Sequence, residues 1–309
     1  MMLKLSFILN LIILICLFGT TNAEIKIKYK IYDDIITNID IKNEGNYLLF
    51  IRPELKKLKE EELLLISENS LIREIIKKRE LNKIYKNIGN IKFEEEIISR
   101  LIKFKNLDNS NELKKLLKDN NLEYKEIINK MKYERLWNEL INRKFNSLVK
   151  INEQDLKKEL LLKLSSNKKF EYNLSELLFE IEKKDQLNKK YDEIKSYIIE
   201  NDFKTAVSKY SIANSAIKGG EIGWIKETLL SKDLTTILNK IKESEITKPI
   251  KYPNGYLILK LNNKRLIKQE INLDEALSEV IKFEKNKQLN QFSLLYFKKL
   301  KQNTTIYEQ

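Results

Sequence analysis

The sequence predicts an α+β fold, and three observations predict it. Between Pro53 and Val149 apolar residues recur at helical spacing. From Phe170 the pattern changes to short strands and helices in the order β-α-α-β-α-β-β, and a capped helix returns after Asn272.

Before these elements comes a leader. Met1-Met2-Leu3-Lys4 is a short positive start, Leu5 to Phe18 is almost wholly apolar, and Thr21-Asn22-Ala23 ends on small residues. That layout predicts a secretory signal peptide over residues 1–23, cut after Ala23. The apolar run is shorter than the roughly 20 residues a spanning helix needs, so no stable membrane insertion is expected after cleavage. Cys16, the only cysteine, lies inside the run behind Ile15, where a lipid-anchored precursor needs a small residue. The mature chain is therefore expected to lack cysteine, and the sequence has no histidine. Thiolate and imidazole nucleophiles, disulfides and metal sites built on either side chain are excluded. Neither a cofactor nor a metal is called for.

Residues 24–309 suit two modules, with 42% hydrophobic and 33% charged residues to supply a core and a soluble surface. Net charge is +13, but Lys and Glu alternate along the helices without a long cationic block. Together with the leader this speaks against nucleic acid.

In chain order, alternation through Ile25–Ile31, a turn at Asp33-Asp34 and Ile35-Ile36-Thr37-Asn38 predict extended structure from Ile25 to Ile41. Leu55, Leu58 and Leu63 to Ile66 predict one helix; Leu71, Ile72, Ile75 and Ile76 begin another, with a stop at Gly89-Asn90. Tyr133, Leu136, Trp137, Leu140 and Ile141 share one helical face, which predicts core packing between helices. Asn152 caps a helix, and Ser165–Lys169 reads as a linker.

In the second module Phe170–Ile181 predicts a strand, Asp185–Ile199 a helix and Phe203–Tyr210 a short helix. A strand through Ile222-Gly223-Trp224 and a helix near Leu234–Ile241 follow. Pro253-Asn254-Gly255 then turns Ile246–Tyr252 into Tyr256–Leu261, a hairpin that Asn-Gly favours. Alternation predicts an apolar face of Leu257, Leu259 and Leu261 opposite a mixed face of Tyr256, Ile258 and Lys260. Asn272 and Glu275 open the last helix as a capping box, and Asn303–Tyr307 predicts a final strand.

The second module carries specific motifs. Phe203–Ser211, Lys218-Gly219-Gly220-Glu221-Ile222-Gly223-Trp224, Pro249 and Gly255–Leu261 resemble, in order and spacing, a parvulin-type peptidyl-prolyl isomerase domain. Gly219 and Gly220 are read as leaving a helix through a left-handed residue, and Gly223 as allowing close approach beside a strand. A phosphate loop is rejected, because the glycines precede a strand rather than open a helix. In its leader, first strand, helical region, Ile151–Leu156 bridge and closing helix, the whole chain resembles the SurA family of periplasmic chaperones. That resemblance implies residues 24–168 as the helical chaperone module and 169–266 as the parvulin-like domain. Residues 267–309 would form a helix and strand packing back on the first module. It also implies unfolded outer-membrane protein precursors as clients, with the outer-membrane assembly machinery as a further partner.

The resemblance further implies where the chemistry should be. The family's polar positions, two histidines and a cysteine or aspartate, fall here on Glu176, Leu257 and Ala213. No catalytic residue is thus assigned, and isomerase activity is expected to be weak or absent. An active isomerase with a variant site is the alternative. Pocket positions fall on Leu230 and Leu234, and the place before Gly255 is Asn254. With Glu176 and Leu257 these are the peptide-binding candidates. Glu176 is expected as a solvated edge-strand carboxylate, and Trp224 as an anchor of the domain core.

Overall fold

The computed structural model describes residues 24–85, 88, 93–165, 170–181, 183–267 and 272–309. The expected leader with Cys16, the expected Gly89-Asn90 stop and residues 166–169 of the expected linker lie outside them.

Strands β1 (Ile27–Ile31) and β2 (Asp34–Thr37) form an antiparallel hairpin, after which helix α1 (Asn38–Ile51) begins at once. Extended structure was expected as far as Ile41; Thr37 and Asp40 end it four residues earlier. The Thr37 hydroxyl accepts from the Asp40 amide, and the Asp40 carboxylate accepts from the Thr37 amide at 2.7 Å. That reciprocal capping box makes Asn38 helical. After a 3-10 turn at Pro53–Lys57 comes α2 (Glu60–Ile84), a single helix where two were expected. The intervening Ser67 and Asn69 do not break it. Their side chains donate back to the carbonyls of Leu63 and Leu65, at 2.7 and 2.9 Å.

Helices α3 (Glu94–Lys105), α4 (Ser110–Asp119) and α5 (Tyr124–Phe145) complete the first helical layer. Leu136, Trp137, Leu140 and Ile141 are buried as the spacing predicts, packed on Leu81. Helix α6 (Glu153–Leu164) starts at Asn152, whose side chain accepts from the Asp155 amide.

The second unit has strands β3 (Phe170–Phe179), β4 (Glu221–Lys226), β5 (Ile250–Tyr252) and β6 (Gly255–Leu266). They form an antiparallel sheet in the order β4-β3-β6-β5. Helices α7 (Leu187–Glu200) and α8 (Phe203–Tyr210) cover one face. Helix α9 (Lys232–Leu238) begins two residues before the expected Leu234, because Ser231 caps it by accepting from the Leu234 amide. β5 is shorter than expected. Pro249 has no amide hydrogen to give the ladder, so Ile246 keeps only an isolated bridge to Lys260. On the face of β6 expected to be mixed, α7 and α8 bury Ile258 while Tyr256 and Lys260 stay half-buried; Leu257, Leu259 and Leu261 fill the other side.

Helix α10 (Leu273–Gln302) opens at Asn272, whose side chain accepts from the amides of Asp274 and Glu275. It lies against α5 through Leu289, Tyr296, Phe297 and Leu300, and against Leu160 of α6 through Ala276 and Val280. Strand β7 (Ile306–Glu308) then pairs with the free side of β1, so both ends of the described chain share one sheet, β2-β1-β7. It starts later than the expected Asn303 because α10 runs on to Gln302.

The sheet unit also docks on the helical one through α8. Arg52 donates to the Ser208 hydroxyl at 2.6 Å and the Ala216 carbonyl at 2.9 Å, and Lys209 meets Glu62 at 2.7 Å. A cavity of about 100 Å³ at this seam is lined in part by Lys130, which pairs with Glu44 at 2.7 Å, and by Arg52, which is hydrogen-bonded across the seam. It reads as packing between the units.

Candidate functional site

The sheet face away from α7 and α8 holds a cavity of about 350 Å³. β3 contributes Leu174, Glu176 and Leu178 to it, β6 contributes Leu257 and Leu259, and Ala213, after α8, lines it as well. Leu230 and Leu234 form one side at the start of α9. All three positions that carry polar groups in parvulins therefore open on one space, as do four of the five peptide candidates. Asn254 does not. It sits in the β5–β6 turn, where its side-chain amide donates to the Gln291 carbonyl of α10 at 3.4 Å.

The backbone around the cavity depends on two glycines. Gly220, at φ +78°, lies so close to β3 that a Cβ there would stand 2.2 Å from the Glu176 carbonyl oxygen. Its own carbonyl accepts from the Glu176 amide at 2.8 Å. Gly255 likewise abuts Phe179. Gly219 takes the left-handed residue that ends the preceding 3-10 turn, as expected. Gly223 does not serve close approach, because the space beside it is open. A φ of +87° in a strand with a register shift is what selects glycine there.

Two expectations are corrected. β3 is an interior strand, so Glu176 is not a solvated edge carboxylate. It faces the cavity, where the Ser215 hydroxyl donates to it at 2.7 Å. Burial pushes its carboxyl above the usual range, and the Ser215 bond opposes that only in part. Trp224 is not a core anchor. It lies on the edge strand, 37% exposed, with the Arg265 guanidinium 4.0 Å above its ring. Tyr172, fully buried with its hydroxyl donating to Asn239, fills the core instead.

The raised carboxyl sets a pH dependence. The folded chain keeps the Glu176 proton at pH values where the unfolded chain, near pKa 4.3, has lost it. Stability from this group is thus complete below about pH 4 and falls as pH rises through the folded pKa. Glu176→Gln is expected to match the wild type in acid and to melt higher at neutral pH. Thermal melts at pH 4 and pH 7 check this, and an equal offset at both would contradict it.

The sequence did not point to Phe283, Asn286, Lys287, Asn290, Gln291 and Leu294 of α10, which face the same cavity. Their helical spacing was legible, but only the docking of α10 shows what they face.

The rotamase family, described as the PPIC-type PPIASE domain, matches residues 172–263, which run from within β3 to within β6. Over 154 residues the chain is 29% identical to the chaperone SurA of Pseudomonas putida, covering 47% of this chain and 36% of that one. The chain is SurA-like and carries a PPIC-type parvulin domain. It is also 27% identical to the foldase protein PrsA 2 of Bacillus anthracis, over 40% of this chain and 49% of that protein. The matches thus span about a third to a half of the length of these curated relatives. One similar solved structure, from Campylobacter jejuni, belongs to a pair described as structurally related SurA-like chaperones. It covers 92% of this chain and 98% of its own, at 16% identity and a TM-score of 0.36. No helix among the described residues is long and apolar enough to cross a membrane. Of the three positions that are polar in the parvulin pattern, all on this cavity, only Glu176 carries a polar side chain.

Proposed function

We propose that the chain is an exported, periplasmic, ATP-independent chaperone that holds unfolded outer-membrane protein precursors, and that its parvulin domain grips peptide with little isomerase activity. The observation that carries the second half is the lining of the cavity. Its apolar walls are intact, while Ala213 and Leu257, buried at two of the three polar positions, can neither donate to nor accept from a prolyl amide. Rotation about that bond faces a barrier of roughly 18–20 kcal/mol, and lowering it takes polar groups aimed at the twisting amide. The leader of residues 1–23 supports export, and its removal after Ala23 belongs to the same proposal. Apolar slots and exposed strand edges are the means by which such a protein holds extended chains.

Residues 24–309 are expected to suppress aggregation of a urea-diluted outer-membrane β-barrel precursor at low stoichiometry. Turnover of proline tetrapeptides should stay near the uncatalysed rate in an exchange measurement by NMR. Suppression no better than that of an inert protein of equal charge would refute the chaperone assignment. One observation favours the alternative of an active isomerase with a histidine-free site: Glu176 is a polar side chain that faces the cavity, and burial pushes its carboxyl above the usual range. Turnover in the wild type that is lost in Glu176→Ala would establish it.

A further inference from the structure

Helix α10 forms the far side of the cavity. Phe283, Asn286, Lys287, Asn290, Gln291 and Leu294 lie on one face, at helical spacing across three turns. Phe283 and Leu294 pack against the cluster that contains Ala213, Leu230 and Leu257. The opposite side of α10 is held by α5 and α6, so the helix is fixed in the first module. Ion pairs tie it to the sheet unit on both sides of the cavity. Lys226 meets Glu279 at 2.7 Å, and Lys298 meets Glu180 at 2.7 Å.

A helix in this place could fill the groove, yet it leaves about 350 Å³ open beneath it. That lies within the range of small-ligand sites, which start at about 300 Å³. It is room for one bulky apolar side chain and the backbone beside it. At the mouth stand Asn286 and Asn290, both exposed, with side-chain amides that have no hydrogen-bond partner among the described residues. Residues four apart on a helix are separated by about 6 Å along its axis. Groups on one side of an extended chain repeat about every 6.6 Å. Each carboxamide can both donate and accept, so the pair fits the alternating carbonyls and amides of an extended backbone whatever its sequence.

We propose that α10 is a wall of the peptide site and not a plug. Phe283 and Leu294 close the slot around a single bulky apolar side chain of an unfolded, extended segment, and Asn286 and Asn290 hydrogen-bond the backbone on either side of it. The site is then built from both units and is incomplete in the parvulin domain alone. This deepens the chaperone reading and rests on it.

The test uses residues 24–309 and two fluorescein-labelled ten-residue peptides, polar but for one central phenylalanine or alanine. Wild type should prefer the phenylalanine peptide. Asn286→Ala/Asn290→Ala, confined to exposed positions, should weaken both peptides by about fivefold or more. Leu294→Trp, which fills the slot, should abolish the preference for phenylalanine. Tighter binding by Phe283→Ala would mean that α10 is a plug, and would overturn the proposal. Unchanged affinity in the double variant together with a retained preference in Leu294→Trp would overturn it as well. If these variants fail in that way while the chain still suppresses aggregation, the chaperone reading stands without the wall. If the wild type neither binds nor suppresses, both fall.

Discussion

Replacing Trp137 with alanine is expected to cost about 3–5 kcal/mol, the range for removing a buried tryptophan or phenylalanine side chain. The indole is 1% exposed and stacks on Tyr296, ring centroids 5.8 Å apart. Its Nε1–H donates at 2.9 Å to the hydroxyl of Ser293, which is itself buried and would lose that partner. Trp137 belongs to α5, whereas Tyr296 and Ser293 belong to α10. The void would thus open at the contact that holds α10, and through it the wall of the cavity. Urea melts followed by circular dichroism measure the loss. Trp224, the only tryptophan left in the variant, reports on the sheet unit by fluorescence. Trp137→Phe should retain most of the packing and lose chiefly the hydrogen bond. A loss under about 1 kcal/mol in the alanine variant would contradict this account of the core.

The second large effect is expected at Gly220. An alanine there must hold a positive φ, at a cost of about 1–3 kcal/mol for strained backbone. Its Cβ would also press into the Glu176 carbonyl, a backbone atom in an interior strand with no freedom to yield. Either β3 shifts or the loop does, and in both cases the Glu176 amide loses its bond to the Gly220 carbonyl. Gly220→Ala should therefore be destabilised by at least about 3 kcal/mol and should also displace Glu176 from Ser215. Gly223→Ala is the control. It meets no neighbouring atom, so its cost should be confined to the backbone conformation. Equal melting temperatures for the two variants would show that the close approach at Gly220 has no consequence.

Much of the fold was legible because its causes are local. α8 runs from Phe203 to Tyr210 as read, since Asp202 caps it and Ser211 leaves it extended. The Asn254-Gly255 turn was legible for the same reason, as were the cap at Asn152 and the buried face of α5. Boundaries were misplaced where a second interaction competed with periodicity. The Thr37–Asp40 box cut a strand short, back-bonding serine and asparagine carried α2 through a polar stretch, and Pro249 trimmed β5. Trp224 and Glu176 were misread for a different reason. Whether a strand is central or at an edge depends on pairing between distant segments, and no local pattern records it.

What the sequence determined by itself was the type and order of elements, the parvulin-type pattern with Glu176, Ala213 and Leu257 at its polar positions, and the absence of imidazole. These follow from residue chemistry and from spacing along the chain. Tertiary structure alone decided that β3 is interior, so that a carboxyl thought solvated is desolvated. It also decided that α10, fixed by Trp137 and its neighbours, stands across the cavity. The physical reason is that desolvation and cavity walls depend on what is near in space. For residues 176 and 283, more than 100 positions apart, only packing brings them to the same site.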